Sequence, residues 1–271
     1  MKPLTGIMAR CDRFFARVLP FSLMFAATPN PAISAGCAFE PQGEGRVAAI
    51  IDARSFRLED GREVRLAGIE PIFPEKGPAE QASRASALSA IVTGHDVTLR
   101  GEDDTPDRYG RQPAFVFLDG SESSVQEMLL EEGEALVAGT VSDKDCAKSL
   151  NAAETAARQA KRGTWADPSV IKNAESPGDI LAGMGRFTVV EGKVLSVRQS
   201  GATTYLNFGR NWTQGFAVTI SKRMIGVFEA AGIGLKSLEN HRIRVRGWVE
   251  ARQGPRIEML RVGQLELLGG N

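Results

Sequence analysis

The spacing of apolar positions changes period several times along the chain. Arg46–Ile51 is apolar and β-branched, and predicts a strand. Phe56–Leu58 and Glu63–Ile69 flank Glu59-Asp60-Gly61-Arg62, whose Asp-Gly pair signals a hairpin. Ala82, Ala85, Leu88, Ile91 and Val92 fall at helical spacing within Ala79–Val92, and Gly94 ends the run. His95–Arg100 and Pro113–Leu118 read as strands, the second turning at Asp119-Gly120. Ser124–Glu132 and Lys144–Lys161 read as helices ended by Gly133 and Gly163. Asp167–Gly178 mixes proline, Asn, Ser and Gly, which predicts a linker. The pattern then restarts: strands at Phe187–Val197, Thr204–Phe208 and Gly215–Ile220, a helix at Arg223–Ala231, and strands at Arg242–Glu250 and Arg256–Leu267.

Three strands, a helix and two strands is the order of an OB-fold, a small Greek-key barrel. The first half opens the same way. The expected fold class is therefore mainly β with helices (α+β). A first OB barrel with extra helices covers 44–166, a linker 167–178, and a second OB-like barrel 179–271. No sequence repeat relates the two halves.

The first 35 residues follow another logic. Lys2, Arg10, Arg13 and Arg17 precede the apolar run Val18–Ala27, and Ile33-Ser34-Ala35 supplies small residues. That order predicts a secretory signal cleaved after Ala35, with a soluble exported product, periplasmic or secreted. The apolar run is shorter than the roughly 20 residues a membrane helix needs. The alternative is lipid attachment at Cys37, although Ser34-Ala35-Gly36 lacks the large aliphatic residue such sites prefer. Removal of the signal removes Cys11 and leaves Cys37 and Cys146, which in an oxidising compartment either form one disulfide or stay as unrelated thiols. With no CxxC and only His95 and His241, cysteine–histidine metal chemistry is not expected.

Charge divides unevenly. Ala38–Trp165 holds 15 Lys and Arg against 23 Asp and Glu, whereas Ser176–Asn271 holds 13 against 7. A polyanion attracted by bulk charge favours the second half.

Phosphodiester chemistry needs cations placed where charge develops and a way to activate water. Arg65 lies in Val64-Arg65-Leu66-Ala67-Gly68-Ile69-Glu70-Pro71, and Arg111 closes Asp107-Arg108-Tyr109-Gly110-Arg111. These two stretches, followed by Val125–Gly133, Ala153–Arg158 and Gly163-Thr164-Trp165, resemble the staphylococcal nuclease (thermonuclease) family over about Gly45–Trp165. The resemblance implies that Arg65 and Arg111 match the family's catalytic arginines and that Glu70 matches a calcium-site carboxylate. It also implies two departures. The family's first liganding aspartate falls at Arg54, in Asp52-Ala53-Arg54-Ser55, and its water-activating glutamate falls near Phe73, with Glu75 two places late. Calcium takes six to eight oxygen ligands, so an arginine there disfavours it. No cofactor is expected, and Ca2+ only if the site is active, with Arg54 pointing away and Asp52, Glu70 and Glu75 as makeshift ligands. Alternatively, Arg54 joins Arg65 and Arg111 in a three-arginine phosphate pocket. Each arginine also has a structural reading: Arg65 pairing with Glu70 or Glu63, and Arg111 bracing its loop through Asp107. Tyr109 reads as packing.

In the second half Arg242, Arg244 and Arg246 alternate on one strand, with Arg256 and Arg261 following and Tyr205, Phe208, Trp212 and Trp248 nearby. A basic face with aromatics is how OB-folds hold single-stranded nucleic acid. An amphipathic strand with core tryptophans is the alternative. Three functions remain open: a degenerate nuclease-like module binding nucleic acid or another phosphate-bearing ligand, a secreted Ca2+-dependent nuclease using Arg65, Arg111 and Glu70, and an envelope scaffold for a protein partner.

Overall fold

The computed structural model describes residues 36–37, 39–72, 78–211 and 213–269. The expected signal segment, Phe73, Glu75 and Trp212 lie outside them. Chain from residue 34 onward gathers into one compact unit holding a closed five-stranded barrel and an eight-stranded sheet, a second barrel by its strand pairings.

The first barrel is built from β1 (Pro41–Asp52), β2 (Ser55–Leu58) and β3 (Glu63–Leu66), followed by β4 (Ile69–Pro71), α1 (Pro78–Val92), β5 (Asp96–Arg100) and β6 (Gln112–Leu118). It closes in the order β1-β2-β3-β6-β5, with β3 and β6 parallel. Alternation works as read from sequence: Phe56, Leu58, Val64, Leu66, Val97, Leu99 and Val116 point inward and are buried. Then come α2 (Val125–Glu131), β7 (Ala135–Val137) and α3 (Lys144–Gln159), with β7 pairing β4 outside the barrel. Ser124 caps α2 in a reciprocal box with Glu127. Gln126, fully buried, donates to Ala114 O (2.8 Å) and Ala67 O (3.3 Å) and accepts from Val116 N–H (3.2 Å), locking α2 to the β3–β4 turn. That turn needs Gly68: its φ is 76°, and a Cβ there would meet Val141 at 2.9 Å and Leu150 at 3.1 Å. A disulfide joins Cys37 to Cys146 on α3.

The segment read as a linker is structured. It contains β8 (Ile171–Asn173), which pairs in parallel with residues 189–191, and the start of α4 (Pro177–Leu181). Its turn-forming composition hid Ala174 and the nearby Ile180, both of which bury in the second core. The expected strand 187–197 is two: β9 (Phe187–Lys193) and β10 (Ser196–Ser200). After these come β11 (Thr203–Asn207), β12 (Ala217–Ser221), α5 (Lys222–Ala230), β13 (Arg242–Ala251), β14 (Pro255–Met259) and β15 (Leu265–Leu268). The sheet runs β10-β11-β12-β14-β13-β9-β8, with β15 also on β13 and β12 parallel to β14. Separated by Val194 and Leu195, β9 pairs with β13 and β10 with β11, so together they make the two pairings that β1 makes alone in the first barrel.

The barrels share a buried seam. Leu136, Ala157 and Trp165 from the first half pack with Phe187 and Val189 from the second. Among the described residues no helix is long and apolar enough to cross a membrane.

Candidate anion-binding site

Four pieces of the first barrel converge. The β1–β2 turn carries Arg54, whose backbone N–H donates to Asp52 Oδ1 at 2.9 Å. Strand β3 carries Arg65, in register with Ser55 on β2. Strand β4, set by the Gly68 turn, carries Glu70. The loop before β6 carries Asp107 and Arg111.

The side chains form one alternating chain of charge. Glu70 accepts from Arg54 through Oε2 and from Arg65 through Oε1 at 3.3 Å. Arg65 Nη1 also lies 3.6 Å from Asp107 Oδ2. Asp107 is the hub of its loop: Oδ1 accepts the N–H groups of Tyr109 (2.9 Å) and Arg111 (3.1 Å), and Oδ2 accepts Arg111 Nε (3.0 Å) and Nη2 (2.8 Å). Burial alone would raise the Asp107 carboxyl, but these donors outweigh it and hold its pKa near 2. The same contact raises Arg111, whereas burial and the neighbouring Arg54 charge lower Arg65. Arg65, at 28% side-chain exposure, is the most open of the three arginines. Each guanidinium has five N–H donors, and two carboxylates do not saturate three guanidiniums. The Ser55 hydroxyl, buried beside Arg65, has no hydrogen-bond partner among the described residues.

Both structural contacts foreseen for the arginines occur, so Arg65 meets Glu70 and Arg111 meets Asp107. Glu63 pairs with Arg57 instead. The sequence did not reveal that Asp107 also reaches Arg65, because nothing in a loop's spacing shows which strand it folds against. Tyr109 does not pack in the core. The residue is 64% exposed, with Arg108 and Arg111 guanidiniums 4.7 Å and 5.0 Å from its ring centroid.

Calcium does not fit these residues. The carboxylate best placed to bind it, Glu70, is spent on two guanidiniums, and Arg54 stands beside it. Two unit charges at 4 Å repel by about 4 kcal/mol at an effective dielectric of about 20, and a divalent ion feels more. Among the described residues no group of three His, Cys, Asp or Glu is arranged to hold a metal ion.

The second-barrel arginines are placed differently from the single basic face read from sequence. Arg242 is exposed, but Arg244 and Arg246 are buried. Arg244 pairs with Glu191 and Glu266, each at 2.6 Å. Arg246 forms a two-pronged pair with Glu154 on α3, at 2.9 Å and 3.0 Å, and donates to Val137 O at 2.9 Å. Alternation put these residues on one side of β13, and α3 with β7 covers that side. Trp248 is 44% exposed and meets Phe187 edge-on. Arg256 lies over the Tyr205 ring at 5.3 Å.

A closed five-stranded barrel with parallel β3 and β6, followed by two helices, and with paired arginines at one end, defines a nuclease-like barrel. Residues 63–167 match the family model described as staphylococcal nuclease homologue. This stretch is thus a staphylococcal-nuclease-like domain, of a class that is nuclease-like or nucleic-acid-binding. The match includes Arg65, Glu70, Asp107 and Arg111, and begins after Arg54. No curated protein matches the chain.

Proposed function

We propose that the chain is an exported protein whose first barrel binds a phosphate-bearing ligand, nucleic acid foremost, through Arg54, Arg65 and Arg111, without metal-dependent hydrolysis. The observation that carries this reading is the Arg54–Glu70 pair. It places a cation where the resemblance expects a metal ligand, and it occupies the carboxylate that would have held the metal. Phosphate oxygens compete well for guanidinium donors, because the planar fork matches two oxygens at once. Glu70 and Asp107 then act as counter-charges that hold the arginines in place when no ligand is bound. With both Glu70 oxygens engaged by guanidiniums, Glu70 is a poor acceptor for a water proton. Export is supported by the basic-apolar-small order of the N-terminus and by the Cys37–Cys146 disulfide.

The test is calorimetric titration with inorganic phosphate and with a 5′-phosphorylated tetranucleotide, in chelator and in Ca2+. The reading expects binding in chelator, no gain from Ca2+, and a loss of about tenfold or more in Arg65→Ala/Arg111→Ala, since a hydrogen bond to a charged group contributes about 1.5–3 kcal/mol. Binding that requires Ca2+ would refute it.

A further inference from the structure

We infer that the outer face of β10, β11, β12 and β14 is a second, separate site, which holds single-stranded nucleic acid on Tyr205. The site does not depend on the three-arginine reading of the first barrel. The register fixes the face. Leu206, Val218, Ile220, Ile257 and Met259 alternate inward and are buried. The opposite parity gives an accessible cross-strand row Arg198–Tyr205–Thr219–Glu258; one step along, Asn207 and Ala217 are buried and only Arg256 of that row reaches the surface. Among the described residues of β10, β11, β12 and β14, Tyr205 is the aromatic side chain on this face, and it is partly exposed.

Two cations flank the ring, and three more lie beyond the strand ends. Arg256 lies over it at 5.3 Å, and Arg198 stands opposite it on β10. Arg210 lies in the β11–β12 loop, which touches the β13–β14 turn at Gly215 and Gly254, on the Arg256 side. Lys222 and Arg223 begin α5 directly after β12, at the other end. Among the described residues none of these five forms an ion pair within 4.0 Å, though the Arg198 charge helps to lower the Glu239 pKa. Glu258 is the opposing carboxylate in the Tyr205 row, and Glu250, in register with Arg256 across β13 and β14, pairs with Arg252 at 3.4 Å. This contrasts with Arg244 and Arg246 on β13, whose charges are consumed in the seam. Open cations arranged around a ring suit a flexible polyanion whose bases stack, rather than a rigid anion.

The experiment measures anisotropy of a labelled 15-nucleotide oligo-dT with the full chain in chelator, at low and high salt. Every variant is built on Arg65→Ala/Arg111→Ala, which removes the first site from the readout. The expected result is binding that weakens steeply with salt, falls roughly tenfold in Tyr205→Ala, and is retained in Tyr205→Phe. Arg256→Gln should weaken binding and flatten the salt dependence. No binding of oligo-dT at low salt, or a Tyr205→Ala protein that binds as tightly as its parent, overturns the inference.

Discussion

Replacing Arg246 by methionine tests how the two barrels depend on each other. Arg246 and Glu154 are 3% and 1% exposed in their side chains, so the pair is removed from water. The substitution leaves apolar volume but withdraws two charged hydrogen bonds from Glu154 and one from Val137 O. Stranding one partner of a buried pair costs about 3–5 kcal/mol. Glu154 keeps the Val137 N–H at 2.7 Å and Arg158 at 3.5 Å, which favours the lower end of that range. A domain of this size loses roughly 2–4 °C of Tm per kcal/mol, so at the lower end of that range the expected drop is roughly 6–12 °C by calorimetry. Glu154→Gln/Arg246→Met should recover part of it, because no charge is left stranded at the fully buried position, while Arg158, at 21% side-chain exposure, stays in reach of water. A single variant melting within about 2 °C of the parent would show that the seam does not carry this energy.

Three further outcomes follow from the same contacts. Cys37→Ser/Cys146→Ser should lower stability by about 2–5 kcal/mol in urea, since the bridge closes a loop of 109 residues; an unchanged midpoint would contradict this. Asp107 has a folded pKa near 2, below its ordinary 3.8, so it stabilises the fold above 3.8 and that contribution is lost as pH falls towards 2. Asp107→Asn should remove that acid-limb slope from urea melts taken between these values, and a superimposable pH profile would refute the assignment. Arg54→Asp should free Glu70 and raise Ca2+ affinity by calorimetry; no gain would mean that more than Arg54 keeps calcium out.

Much of the first barrel was legible because its strands are buried on one face and bounded by strong turns. The Asp60-Gly61 hairpin and the Val64–Leu66 alternation placed Arg65, and the loop motif placed Arg111. Glu70 was legible as a candidate, but its fate was not: its partner Arg54 lies sixteen residues away, across a turn. The seam was invisible for a related reason. Arg244 and Arg246 alternate with Ile243 and Val245, a pattern that suits an exposed face as well as one covered by a second layer. Only the packing of α3, with Glu154 aimed outward from its own barrel, decides between them. Segment 167–178 misled because turn residues dominate its composition, while a few apolar side chains fix its position.

With Arg54 where a metal ligand is expected, the proposed site binds phosphate without cutting it. The most direct measurement incubates the chain with single- and double-stranded DNA and with RNA in Ca2+, Mg2+ or chelator, beside an identically prepared Arg65→Ala/Arg111→Ala control. The account predicts no cleavage above the control in any condition, with phosphate-bearing ligand still bound in chelator. Metal-dependent cleavage that disappears in the control would contradict it.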